Sequence, residues 1–282
     1  MSLANRVLKS VWCRVFGLTS WVCRFGTLRE RERFGVLERP HYAYGVLRGA
    51  DIAKYFGHTA MTVCEFGVAG GDGLERLVQL GESVGREVGI DIRVVGFDSA
   101  QGLPAPCGYK DHPEIWSQGD FSPRSREDLE RRFAGRAELI VGDVAETITG
   151  FVDSLTERAP LGFAAFDMDL YSSTKQSLCS LRGPAECYLP AVSLYFDDVG
   201  FFFANRACGV LAAIDEFNAD ATPQRIVDRD HSLPGRRVQH AAPWYSRMYA
   251  CHILDHEVRQ NPPERTKMNI EEHHAFMNAM HL

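Results

Sequence analysis

The stretch Met61-Thr62-Val63-Cys64-Glu65-Phe66-Gly67-Val68-Ala69-Gly70-Gly71-Asp72-Gly73, followed by Leu74, Leu77, Val78 and Leu80 at helical spacing, decides how the chain is read. An apolar run of strand length enters a glycine-rich turn and leaves as an amphipathic helix. Glycine belongs in such a turn because a side chain would block close approach of a ligand, and because tight turns need φ values other residues resist. A dinucleotide fingerprint, G-x-G-x-x-G, fails here, since Ala69 and Asp72 stand at its second and third glycines. A phosphate-gripping loop fails too, because no Gly-Lys-Ser or Gly-Lys-Thr closes the turn. What remains is a turn preceded by an acid, Glu65, suited to a cationic or amine-bearing ligand.

Outward from this unit, strand-like runs at 61–66, 92–97, 138–141, 163–166 and 192–196 alternate with helical stretches, and 244–253 offers a last strand. Such alternation predicts an α/β fold, a mostly parallel sheet with helices on both faces. In that architecture ligands bind outside the carboxyl ends of the strands, so five strand ends can converge on one crevice. Residues 1–58 are expected to form an N-terminal helical arm and a cover for the acceptor site, with Pro40 interrupting any helix and 44–56 helical. The core domain is placed at 59–260 and a C-terminal tail at 261–282. Within the core, 99–125 is too long and too rich in proline and glycine for an ordinary connection and is read as a lid.

With 282 residues, 45% hydrophobic and 24% charged, the chain can bury one large core. A net charge of −6 argues against a nucleic-acid partner, whose binding depends on Lys and Arg displacing counterions. The eight cysteines show neither CxxC pairs nor zinc-ligand spacing, and Cys64 is read as a core thiol. A reducing, cytoplasmic location follows as an expectation. No apolar stretch reaches the roughly 20 residues needed to span a bilayer. Residues 3–25 interleave apolar and basic side chains, a pattern for an arm packed on its own domain or a second subunit, or for peripheral membrane contact. A homo-oligomer is expected from this arm.

Two clusters of strand-end acids carry the chemistry. Asp98, after the second strand, can accept hydrogen bonds from the vicinal hydroxyls of a ribose, and with Glu65 and the glycine turn it defines a nucleoside site. Asp167 and Asp169 follow the fourth strand, and Asp197 and Asp198 the fifth. Four neighbouring carboxylates repel one another unless a cation or proton separates them. A hard divalent cation such as magnesium, on oxygens of Asp167, Asp197 and Asp198, is the simplest remedy. A hydroxyl bound to that ion becomes a better nucleophile, and Asp167 or Asp169 can take its proton.

At these residues the sequence resembles the class I methyltransferases, whose first motif is an acid followed by Gly-x-x-x-Gly and whose second strand ends in a ribose-binding acid. Glu65, Gly67, Gly71 and Asp98 fit those positions. The resemblance implies a Rossmann-like class I methyltransferase fold, S-adenosylmethionine as cofactor, and Asp143 near the adenine. Over roughly residues 60 to 255 the chain more finely resembles the macrocin O-methyltransferase family, metal-dependent enzymes that methylate sugar hydroxyls of antibiotics. Phe97-Asp98-Ser99-x-x-Gly102-Leu103-Pro104, Asp167-Met168-Asp169-Leu170-Tyr171-x-Ser173-Thr174 and Asp197-Asp198 carry that likeness. It implies Ser99 beside Asp98 at the cofactor, magnesium on Asp167, Asp197 and Asp198, and a mobile lid near Gly102. Met168 departs from the glycine common in the family, and the N-terminal arm has no counterpart there.

The function expected is therefore methyl transfer to a hydroxyl of a sugar-like small molecule. His41, Tyr42, Tyr44, Trp116, Asp120 and Phe121 are candidates for covering or stacking on that acceptor, against ordinary packing. Three rivals stand beside this reading: a non-catalytic nucleoside-binding protein of the same fold, a metal-dependent hydrolase that would leave Glu65, the glycine turn and Asp98 without purpose, and a nicotinamide oxidoreductase, disfavoured by the missing glycines.

Overall fold

The computed structural model describes residues 17–123, 125–220, 222, 224–233 and 242–262. All six expected strand runs coincide with strands: β1 (Ala60–Phe66), β2 (Asp91–Asp98), β3 (Glu138–Val141), β4 (Leu161–Phe166), β5 (Tyr188–Phe196) and, after an unexpected β6 (Arg225–Arg229), β7 (Met248–Ile253). They form one seven-stranded sheet in the order β3-β2-β1-β4-β5-β7-β6. The first five strands are mutually parallel, and β7 runs antiparallel to both neighbours. The described helices are α1 (Leu18–Phe25), α2 (Leu28–Arg33), α3 (Pro40–Tyr55), α4 (Asp72–Val88), α5 (Arg126–Phe133), α6 (Val144–Ser154), α7 (Tyr171–Ser177), α8 (Gly209–Ala219) and α9 (Glu257–Gln260). This is a Rossmann-like α/β fold with helices before the core, consistent with the class I methyltransferase fold.

Period-two alternation along the strands sorts their side chains into two cores. On one face Met61, Val63 and Phe163 pack with Val46 and Ala50 of α3, Leu74 and Leu77 of α4, and Phe133 of α5. On the other, Cys64, Phe66 and Leu194 pack with Phe151 of α6 and Val210, Ile214 and Phe217 of α8. Cys64 is the core thiol expected.

Strands β1, β4 and β5 end in a phenylalanine and β2 carries Phe97 one residue before its end, and the four rings form a ladder. Phe97 lies 4.5 Å from Phe66, Phe66 5.0 Å from Phe166, and Phe166 4.8 Å from Phe196, all near parallel. Their backbones are register partners. Such ring pairs contribute roughly 0.5–1.5 kcal/mol each beyond burial. More importantly, they level the strand ends, so that Gly67, Asp98, Asp167 and Asp197 emerge side by side. The chain passes from β1 outward to β2 and β3, then returns to β4 on the other side of β1. The β1/β4 boundary is thus the topological switch point, where ligands of open α/β sheets bind.

Three expectations are corrected. Pro40 does not interrupt a helix but opens one at its first turn, where its missing N–H is no loss, with Arg39 as the preceding cap residue. The last strand begins at Met248, because Pro243–Arg247 form a tight turn. Strand β6 escaped notice because its inward positions are Arg225 and Val227, so an arginine breaks the apolar alternation; buried Arg225 pairs with Asp255.

No helix among the described residues is long and apolar enough to cross a membrane. Most of the apolar and basic pattern of the arm, and most of the 261–282 tail, lie outside the described residues. In the described part, Trp21 and Val22 of α1 are buried against the chain's own surface while Leu18 and Phe25 are exposed.

Candidate active site

A crevice of about 640 Å³ opens over the carboxyl ends of β1 to β5. Its lining includes Gly67 and Ala69 after β1, Asp98 and Ser99 at β2, Gly142 and Asp143 after β3, Asp167 and Asp169 after β4, and Asp197 and Asp198 after β5. The 99–123 segment adds Leu103, Trp116 and Phe121. A volume of this order suits a nucleoside-sized ligand.

The glycine turn is shaped by necessity. Gly67 has φ +90, and a Cβ there would stand 1.8 Å from the Asp167 carbonyl oxygen. Gly71, φ +89, caps α4 and is crowded by Leu129 and Phe133. Asp98 ties this turn to the next one: its Oδ2 accepts from Ala69 N at 2.7 Å and its Oδ1 from Ala100 N at 2.7 Å. Each carboxylate oxygen keeps a further lone pair for a ligand. Ser99 Oγ accepts from Gln101 N and donates to Gly102 O, shaping the entry to the long segment. Asp143 caps α6 through Ala145 N at 2.9 Å and lies exposed in the crevice.

Glu65 occupies a different layer from the one its sequence position suggested. It does not line the crevice but is buried beneath it, with Oε1 accepting from Tyr42 Oη at 2.5 Å and Oε2 without a partner. Burial pushes its carboxyl up to about 8, opposed by the Tyr42 hydrogen bond and aided by Asp167. Gly73 makes room for it, since a Cβ there would come 1.9 Å from Oε1.

The structure brings Asp167, Asp197 and Asp198 together, with one oxygen of each within 4.8 Å of the others. Burial, then the charges of Asp197 and Asp198, pushes Asp167 up to about 7. Asp198 rises to about 7 through burial and then Asp169, and its Oδ2 is buried without a partner. Asp169 likewise rises to about 7, by burial and then Asp167. It also holds φ +58, a left-handed backbone that costs a non-glycine residue roughly 1–2 kcal/mol. Asp197 is held by Arg247 Nη1 at 2.5 Å and by a hydrogen bond from the Tyr195 hydroxyl. An oxygen-rich cluster with one orphaned acceptor and raised carboxyl pKa values has the donor set of a hard divalent cation.

The long segment is moored at its middle. Asp111 is fully buried and accepts from Cys107 N and Ser172 N, both at 2.7 Å, and from Ser172 Oγ at 3.0 Å. Lys110 reaches Glu216 of α8 at 2.6 Å. Trp116 stands 6.0 Å from Phe121 and 6.2 Å from Phe201, forming an aromatic wall. Asp120 accepts from Ser117 N and so braces the segment itself. His41 stacks on Tyr195 at 4.1 Å, and burial, then Arg39, lowers it to about 4. Tyr44 hydrogen-bonds Asp230 at 2.5 Å and belongs to packing.

Sequence reasoning missed Arg247, Asp111 and Phe201. Arg247 meets Asp197 only because β7 folds back antiparallel on β5, with Tyr195 opposite Met248. Nothing local to either residue signals that pairing. Asp111 had a weak signal, an acid between prolines in a segment otherwise read as mobile.

No protein-family model matches the sequence, and no curated protein matches it. Among solved structures the chain is similar to the calicheamicin methyltransferase CalS11, with 19% identity over 77% of this chain and 85% of that one and a TM-score of 0.47. It is similar to the O-methyltransferase NovP, with 20% identity over 68% and 77% and a TM-score of 0.46. A third likeness is to an O-methyltransferase from Bacillus cereus in complex with SAH, with 14% identity over 87% and 96% and a TM-score of 0.39.

Proposed function

We propose that the chain is an S-adenosylmethionine-dependent, divalent-metal-dependent O-methyltransferase acting on a hydroxyl of a sugar-like small molecule. One observation supports this most: a glycine turn braced by Asp98 and a three-aspartate cluster share one crevice, meeting where Gly67 passes the Asp167 carbonyl. A hydrolase needs only the second half of this arrangement, and a nucleoside-binding protein only the first.

The residues fit both groups. Gly67 and Ala69 bring the backbone of the turn to the crevice wall, where a ligand can approach it closely. In this reading Asp98 takes the ribose hydroxyls, Ser99 orders the turn beside it, and Asp143 borders the adenine. Glu65 lies beneath the turn, where the cofactor's ammonium would draw its burial-raised carboxyl into the charged form. Asp167, Asp197 and Asp198 hold the metal, and the unpartnered Asp198 Oδ2 fits a ligand atom awaiting its cation.

When bound, S-adenosylmethionine supplies the methyl group and the divalent ion lowers the pKa of the acceptor hydroxyl. The chain's own task is alignment and proton handling. Arg247 and Tyr195 fix the Asp197 carboxylate, which prevents it from swinging toward Asp167. Asp169, strained and raised to about 7, is poised to accept a proton near neutral pH, with Asp167 the alternative acceptor. The 99–123 segment, moored at Asp111 and bearing Trp116 and Phe121, acts as the lid that excludes water.

The test is transfer of labelled methyl groups from S-adenosylmethionine to a panel of nucleotide sugars and glycosides, with magnesium or with chelator. The reading predicts transfer that chelator abolishes and that Asp197→Ala removes while cofactor affinity stays. Transfer undiminished by chelator contradicts the metal mechanism.

A further inference from the structure

Arg39 is the last residue before α3, held in the left-handed conformation with φ +50. Non-glycine residues in this region are uncommon and gather where a site over-determines them. Its side chain is half-buried, yet it makes no ion pair or side-chain hydrogen bond among the described residues; its guanidinium lies over the face of Tyr42, 5.2 Å from Cζ to ring centroid. The carboxylates acting on it through space are Glu65 and Asp167.

A guanidinium taken partly out of water is normally paired. Were Arg39 present only to neutralise Glu65, a direct contact between them would be the simplest outcome. Instead Tyr42 hydrogen-bonds Glu65 Oε1, Oε2 has no partner, and the arginine lies over the same tyrosine. Arg39 over the Tyr42 ring and the buried Glu65 oxygen beyond the Tyr42 hydroxyl are thus each unpartnered, and Tyr42 packs edge-on against Tyr195, whose hydroxyl bonds Asp197 in the crevice wall. Arg247, by contrast, is already bound by Asp197. The complement of such a pair is a ligand that carries an ammonium and a carboxylate on one carbon.

We propose that Arg39 binds the α-carboxylate of the cofactor's amino-acid end, with Glu65 balancing the adjacent ammonium; this rests on the methyl-transfer reading above. The planar guanidinium offers two parallel N–H donors to a carboxylate, an interaction that is strong and directional. The segment before the core thereby contributes to the cofactor site. Residue Arg39 lies in a stretch where no cofactor motif exists.

Calorimetric titration of the full chain with S-adenosylhomocysteine and with 5′-methylthioadenosine tests this. The second ligand keeps the adenosine and the sulfur but lacks the amino-acid end. Arg39→Gln is expected to weaken S-adenosylhomocysteine binding about tenfold or more while leaving 5′-methylthioadenosine within about twofold of the original protein. Arg39→Lys, which keeps the charge but not the fork, should fall between. Unchanged S-adenosylhomocysteine affinity in Arg39→Gln overturns the assignment, and so does equal weakening of both ligands, which would make Arg39 a prop for the site. If the unaltered chain binds neither ligand, the nucleoside site itself is wrong and the assignment falls with it.

Discussion

The carbonyl oxygen of Asp167 closes so tightly over Gly67 that a Cβ on the glycine would stand 1.8 Å from it. The residue that opens the nucleoside turn and the residue that opens the metal cluster are therefore backbone neighbours across the switch point between β1 and β4. Gly67→Ala must move one strand end or the other, and it also pays for a left-handed φ. The variant should lose on the order of 3 kcal/mol of stability, measured by urea unfolding. A loss below about 1 kcal/mol would show that this junction yields easily.

The aspartate cluster should make the metal-free protein sensitive to pH. Asp167, Asp169 and Asp198 are raised from 3.8 to about 7 in the fold. The folded chain then binds these protons more tightly than the unfolded chain, so their stabilising contribution is complete below about pH 4 and is lost as pH rises through about 7. Asp198→Asn removes one of the repelling charges. By differential scanning calorimetry at pH 8 without metal, it should melt a few degrees above the unaltered chain, for about 1–2 kcal/mol. Magnesium should raise the melting temperature of the unaltered chain and not that of the variant. A variant that melts lower at pH 8 would mean the cluster is not under charge strain.

Asp98→Ala removes the acceptor for Ala69 N and Ala100 N together with the proposed ribose ligand. Affinity for S-adenosylhomocysteine and for 5′-methylthioadenosine should fall alike, by roughly 10- to 100-fold, as expected for charge-assisted hydrogen bonds. Loss of only one ligand would place the ribose elsewhere.

Asp111→Ala leaves Cys107 N, Ser172 N and Ser172 Oγ without their acceptor. Because these bonds tie the 99–123 segment to the start of α7, hydrogen exchange in that segment should quicken while exchange in β1 and β4 stays slow. In the methyl-transfer assay KM for the acceptor should rise more than kcat falls. Unaltered exchange in the segment would mean that Lys110 and Glu216 moor it alone.

The sheet was legible because each strand presents an apolar run that ends abruptly at a glycine or an aspartate, as at Phe66-Gly67, Phe97-Asp98, Phe166-Asp167 and Phe196-Asp197. The same junctions located the site, since strand ends are fixed by local sequence and their convergence by topology. Depth was not legible. Glu65 faces Tyr42 below the turn because residue alternation carries it into the core, which a motif position does not reveal. Contacts between distant segments were equally hidden: Arg247 on Asp197 depends on an antiparallel return, and Arg39 over Tyr42 on a cap residue's backbone. Strand β6 was hidden because an arginine takes an inward position and is neutralised by Asp255, beyond the end of β7.

The most direct measurement is calorimetric titration of the purified chain with S-adenosylmethionine, S-adenosylhomocysteine and NAD, each with and without magnesium. The account predicts micromolar binding of the first two and none of NAD. Binding of NAD in preference to either, or of none of the three, would contradict it and leave the strand-end aspartates beside a crevice built for another ligand.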